Sequence, residues 1–137
     1  MQAEKEFDIR FSEVDSMQIV WHGSYALYFE DAREEFGRKF HLEYMRMYEF
    51  GFYAPLVEFK VNYKQALKYQ DKAKIVITFR NTESAKLIFD YEIYNPSKEL
   101  ITTAKVTLYF LCAETQKIVR CPDFLASLLK PYWSTTT

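Results

Sequence analysis

The chain has 137 residues, 49% of them apolar and 18% aromatic, which suits one domain with a core of its own, spanning 1–137. Its 18 basic and 19 acidic residues are well mixed and leave a formal charge of −1, so the basic face of a nucleic-acid binder is excluded. No apolar run approaches a membrane span, and the polar opening Met1-Gln2-Ala3-Glu4-Lys5-Glu6 lacks the apolar core of a signal peptide; a cytoplasmic protein with no membrane partner is expected.

Phe7, Ile9 and Phe11 alternate with polar neighbours and predict a short first strand. A long helix is expected from about Ser24, a candidate N-cap, to Phe40. It places Tyr25, Tyr28, Phe29, Ala32, Phe36 and Phe40 on one face, with Glu30, Asp31, Glu34, Arg38 and Lys39 mostly elsewhere. A second short helix is expected over Glu43 to Phe50, stopped by Gly51.

After Pro55 the period changes to two. Val57, Phe59, Val61 and Tyr63 alternate with Glu58, Lys60, Asn62 and Lys64, the cleanest strand pattern in the chain. Ile75, Ile77 and Phe79 mark another strand, and Leu87, Phe89, Tyr91 and Ile93 a third. Asn95-Pro96-Ser97-Lys98 reads as a turn. A long strand follows from Leu100 to Cys112, with Val106, Leu108, Phe110 and Cys112 on one face, and Pro122-Asp123 opens a short terminal helix to about Leu129. One strand, one long helix and then four antiparallel strands make an α+β layout with the helix on one face of a sheet. Repeats, linkers and low-complexity segments are absent from the pattern.

Cys112 and Cys121 stand in no metal spacing and, without an export signal, read as reduced apolar fillers. His22 and His41 belong to no ligand array, so neither a metal site nor a cofactor is expected.

The chemistry is concentrated in Arg10-Phe11-Ser12-Glu13-Val14-Asp15-Ser16-Met17-Gln18-Ile19-Val20-Trp21-His22-Gly23-Ser24-Tyr25 and the helix it opens. An acid ends a strand pattern, an apolar loop follows, and a His-Gly-Ser-Tyr step starts the helix. A carboxylate beside a helix N-terminus can attack an electrophile or activate water against it. The N–H groups of the first turn can hold the anion that develops. Gly23 lets the backbone come close to a ligand.

This stretch resembles the hotdog-fold acyl-CoA thioesterases, specifically the 4-hydroxybenzoyl-CoA thioesterase-like family, whose Asp, His or aromatic residue, and Tyr fall at Asp15, His22 and Tyr25. The resemblance runs from about Phe7 to Leu129. It implies a curved antiparallel sheet wrapped around the central helix, and hydrolysis of an acyl-CoA thioester with Asp15 as nucleophile or general base. The implied oxyanion donor is the backbone N–H at His22, helped by Gly23. The His22 side chain either orients Asp15 or the water, or simply packs; Tyr25 either lines the site or belongs to the core.

Val61 to Asp71 is similar to the family's strand-end segment, with Gln65 in place of a Pro and Gln70 in place of a Gly; Gln18 likewise stands where many members carry Gly. Arg120-Cys121-Pro122 before an Asp-led helix resembles the family's ending. The CoA phosphates need cations, for which Lys60, Lys64, Lys68, Lys86 and Arg120 are candidates. The resemblance also implies a homodimer or homotetramer with sites between subunits. Three readings compete with hydrolysis: a non-catalytic acyl-CoA or acyl-carrier-protein binding module, a hotdog dehydratase or hydratase, and a structural domain with no ligand. Asp15 in its matched place counts against the first, and His41 lacks the loop context of the second.

Overall fold

The computed structural model describes residues 1–80, 86–120 and 122. In chain order they form strand β1 (Gln2–Asp8), helix α1 (Tyr25–Phe40), helix α2 (Tyr44–Glu49), and strands β2 (Phe52–Tyr53), β3 (Leu56–Tyr63), β4 (Lys72–Arg80), β5 (Lys86–Tyr94), β6 (Leu100–Tyr109) and β7 (Leu111–Cys112). Five strands make one antiparallel sheet in the order β1-β4-β5-β6-β3, while β2 and β7 pair separately.

Period-two alternation puts Ala73, Ile75, Ile77 and Phe79 of β4 and Leu87, Phe89, Tyr91 and Ile93 of β5 on the same buried face. Register aligns them as Ile75↔Ile93, Ile77↔Tyr91 and Phe79↔Phe89. Against this face lies the stripe of α1, in which Tyr25, Tyr28, Phe29, Ala32 and Phe36 are buried and Phe40 half-buried. Phe29 meets Tyr91 with ring centroids 4.9 Å apart, and Phe36 meets Phe89 at 5.2 Å. Burying each such ring contributes about 1.5–3 kcal/mol, so this aromatic seam fixes how α1 lies on the sheet. The result is the expected α+β layout, an antiparallel sheet around one long helix.

Three boundaries differ from the expectations. The first strand is displaced: it ends at Asp8, and Phe11 is 72% exposed in a 3-10 turn with its ring 5.7 Å from Tyr69. Ser24 stands at the N-cap position of α1 but does not cap it with its side chain: its backbone is already helical at φ −73 and ψ −23, as the last residue of a 3-10 turn over His22–Ser24, and its hydroxyl donates to the Glu13 carbonyl instead. The long strand from Leu100 breaks at Phe110, which is fully buried, so that Leu111 and Cys112 can pair with β2. The expected terminal helix, and Cys121, lie outside the described residues. Among the described residues no helix is long and apolar enough to cross a membrane, and no group of three or more His, Cys, Asp or Glu side chains could hold a metal ion.

Candidate active site

Residues 13–21 form a short hairpin. Trp21 N–H donates to the Glu13 carbonyl at 2.9 Å, Val14 bridges Val20, and Asp15 N–H donates to the Ile19 carbonyl at 2.8 Å. The tip closes because Asp15 Oδ1 accepts the N–H of Met17 at 2.8 Å and of Ile19 at 3.4 Å, the local side-chain turn that Asp favours. Gln18 takes φ 62 there. Asp15 is exposed, and among the described residues its Oδ2 has no partner.

The second arm of the hairpin runs directly into the helix. Ser24 N–H donates to the Trp21 carbonyl at 2.8 Å, so Trp21 is the N-cap of the 3-10 turn. The N–H groups of His22 and Gly23 come first in that turn and have no acceptor behind them; among the described residues they carry no hydrogen bond. Gly23 has a steric reason as well. A Cβ there would collide with the ring of Trp21, which lies over it.

The His22 ring packs on the Trp21 indole at 5.0 Å, is exposed, and makes no hydrogen bond to Asp15. Tyr25 is 3% exposed, its ring against Tyr63 at 4.9 Å and Tyr28 at 5.9 Å. Burial raises its phenol pKa. The structure thus brings Asp15, His22 and Gly23 together on one hairpin and helix start, and sets Tyr25 in the core beneath them.

Sequence reasoning missed Glu13, the one buried charged residue among those described, at 6% exposure. Its Oε1 accepts the Arg10 N–H at 2.8 Å and the Tyr28 hydroxyl at 3.1 Å, and its Oε2 accepts Arg10 Nε and Nη2 at 3.3 Å each. Burial first, and then the charge of Glu13, hold the Tyr28 phenol well above its ordinary pKa, so it remains a donor. The available signal was the Arg10–Glu13 spacing of three, a pairing distance on a helical turn.

The cations divide into two groups. Ile19 bridges Lys68, Val20 N–H donates to the Leu67 carbonyl at 2.8 Å, and Tyr69 N–H donates to the Gln18 carbonyl at 3.0 Å, so Lys68 lies beside the Asp15 hairpin. Lys64 follows the end of β3, exposed and without an ion pair among the described residues. Lys60, further back on β3, is 3.9 Å from Glu58 and sits opposite Lys105 of β6. Lys105, a cation that sequence reasoning did not single out, faces Lys60 of β3 on one side and Asp90 of β5 on the other, so an acid stands beside each of the two lysines. Lys86 and Arg120 lie elsewhere. Lys86 starts β5 opposite Tyr109, seven residues or roughly 23 Å along the strand from Ile93. Arg120 follows Val119, whose N–H donates to the Phe110 carbonyl. Both are therefore at the far end of the sheet within one chain.

A cavity of about 1000 Å³ opens beside the C-terminal half of α1, walled by Phe36, Met47, Phe79, Leu87, Phe89 and Leu108. None of the residues expected at the site lines it.

Comparisons with known proteins bear on the family and the fold. The family model described as Thioesterase-like superfamily matches residues 9–129. A Bacillus subtilis (strain 168) protein named "Putative acyl-CoA thioesterase YneP" is 29% identical over 114 residues, 83% of this chain and 81% of that protein. An Aquifex aeolicus (strain VF5) protein named "Putative esterase" is 30% identical over 122 residues, 89% of this chain and 93% of that one. The crystal structure of a DHNA-CoA thioesterase from Staphylococcus aureus matches with a TM-score of 0.86 at 29% identity, covering 96% of this chain and 88% of that one.

Proposed function

We propose, for a chain that belongs to the Thioesterase-like superfamily, that Asp15 and the turn at His22 and Gly23 hydrolyse an acyl-CoA thioester to the free acid and CoA. The protein has the hotdog fold and is a thioester hydrolase. The finer assignment rests on one observation: the Asp15 carboxylate, with Oδ2 free, is held on a hairpin whose other arm presents two N–H groups without acceptors.

In this reading the thioester carbonyl oxygen lies against the N–H groups of His22 and Gly23. Asp15 either removes a proton from an attacking water or attacks the carbonyl carbon itself, forming an anhydride that water then opens. Negative charge develops on the carbonyl oxygen and is held by the two N–H groups, an arrangement worth roughly 3 kcal/mol per donor in other enzymes. Collapse expels the CoA thiolate, which leaves readily and needs no strong acid. Lys68 and Lys64, on the segment that pairs with the hairpin and at its start, would meet the nucleotide phosphates, with Lys60 next in line.

The site is completed by a second copy of the chain. Edge strand β3 leaves Leu56 and Val57 49% exposed, Phe59 38% and Tyr63 51%, an apolar stripe beside a row of unpaired strand N–H and C=O groups that a lone chain leaves open.

The test is thiol release across aliphatic acyl-CoAs of increasing length and aromatic acyl-CoAs. Turnover is expected with at least one class. A protein that CoA stabilises against heat, yet that releases thiol from none, is a binding module and overturns the proposal.

A further inference from the structure

We infer that Glu13 is the positioning residue of this site, holding the Asp15 hairpin in register with the start of α1. The inference rests on the catalytic reading of Asp15 above. Glu13 does not touch the reacting atoms; it joins the three segments that must be mutually fixed for them to react.

Its backbone carbonyl accepts two hydrogen bonds, from Trp21 N–H at 2.9 Å and from Ser24 Oγ at 3.0 Å. These residues flank His22 and Gly23, so the turn with the free N–H groups is tied at both ends to one oxygen. Its carboxylate reaches in the other direction, to Tyr28 one turn into α1 and to the Arg10 N–H at the base of the hairpin. The N–H of Glu13 itself donates to the Arg10 carbonyl at 3.0 Å. Asp15 is two residues further along.

A buried carboxylate is costly unless its oxygens are satisfied, and here Oε1 accepts two donors and Oε2 the guanidinium. The ion pair itself is a weak restraint, because the Arg10 side chain is 74% exposed. The buried bond from Tyr28 and the half-buried one from the Arg10 N–H are the ones that resist displacement. A shift of about 1 Å at a reacting group can lower turnover a hundredfold. Loss of these bonds is therefore expected to appear in kcat, while the surface that binds the remote parts of CoA stays as it was.

The variants separate this role from plain stability. Glu13→Gln can keep its amide oxygen at Oε1, accepting Tyr28 and Arg10 N–H, while its NH2 takes the place of Oε2 and gives up the ion pair and both bonds from the exposed Arg10 guanidinium. Glu13→Ala removes every side-chain bond. Tyr28→Phe removes one donor and keeps the ring that packs on Phe7 at 4.5 Å. With wild type and Asp15→Asn as references, and rates normalised to folded protein, Glu13→Ala is expected to lose about tenfold or more in kcat with KM within about twofold. Tyr28→Phe loses about threefold or more, and Glu13→Gln stays within about threefold of wild type.

If Glu13→Ala only lowers the melting temperature and folded molecules turn over normally, Glu13 is structural and the inference fails. A rise in KM at constant kcat would make it a binding residue instead. Should Glu13→Ala not fold, Tyr28→Phe decides, and unchanged kcat in that variant overturns the inference. An Asp15→Asn protein as active as wild type overturns the catalytic reading as well; an inactive Asp15→Asn beside an unaffected Glu13 series overturns this inference alone.

Discussion

The carbonyl of Gln18 accepts the N–H of Tyr69 at 3.0 Å, and each of the two loops joined by that bond turns on a glutamine in the left-handed region, Gln18 at φ 62 and Gln70 at φ 73. These are the two positions where the motif this chain resembles carries Gly. The loops keep the backbone of a glycine turn while bearing a side chain, a conformation that costs an L-residue about 1–2 kcal/mol. Gln18→Gly removes that strain and gives back part of the gain through the freer unfolded chain. A net stabilisation of about 0.5–1 kcal/mol is expected, raising the melting temperature by roughly 2–4 °C, whereas Gln18→Val, β-branched at positive φ, lowers it. A Gly variant that melts lower than wild type would show that the Gln18 side chain makes a stabilising contact.

Most of the fold was legible because its signals are periodic. The aromatic stripe from Tyr25 to Phe36 and the alternation in β4 and β5 state which atoms must leave water, whatever the partner. Local bonds escaped the pattern. Phe11 continues the alternation of Phe7 and Ile9, but the Arg10 N–H donates to the Glu13 carboxylate and curls the chain out of the strand. Phe110 also keeps the period, and only pairing of Leu111 and Cys112 with Phe52 and Tyr53 breaks β6 there. At the site, the spacing of Asp15, His22 and Gly23 was readable. The burial of Glu13 was not, since an acid in a polar stretch looks solvated until Tyr28 is folded over it. Nor does spacing along the chain reveal that Lys64 and Lys86 lie at opposite ends of the sheet.

Asp15→Asn is expected to abolish turnover without disturbing the hairpin. An asparagine oxygen can accept the Met17 and Ile19 N–H groups as Oδ1 does, while the charge needed for attack or proton removal is gone. Turnover should fall by far more than tenfold, with folding and CoA binding retained. Retention of over a tenth of wild-type kcat means a barrier change under about 1.4 kcal/mol and rules the carboxylate out. Asp15→Ala should in addition lose about 1 kcal/mol of stability, since it removes the acceptor that closes the turn.

Strand β3 should be an assembly surface. Val57 is 49% exposed in the single chain, so Val57→Lys is expected to alter its own stability by no more than about 0.5 kcal/mol. Between two copies the added lysines would meet apolar surface and each other. Sedimentation at micromolar concentration should show wild type as a dimer or tetramer and Val57→Lys shifted toward monomer with loss of activity. A monomeric, fully active wild type would place the whole site within one chain.

Lys64 lies just beyond β3, exposed and without an ion pair among the described residues, at the start of the segment that pairs with the Asp15 hairpin. Its backbone N–H is already committed to the Ile101 carbonyl at 2.8 Å, so replacing the side chain leaves the strand end in place. A contact from Lys64 to a nucleotide phosphate would be remote from the thioester and equally strong in ground and transition states. Lys64→Ala should therefore raise KM for acyl-CoA by about two- to fivefold, the value of an exposed charge pair, with kcat nearly unchanged. The difference from wild type should shrink as salt is raised, because exposed charges are screened within about 10 Å at 0.1 M. An acyl-pantetheine substrate lacks the nucleotide and serves as the control. It should be hydrolysed equally well by both proteins; if Lys64→Ala impairs both substrates alike, the residue acts through the strand end, and Lys68, beside the hairpin, becomes the cation to replace.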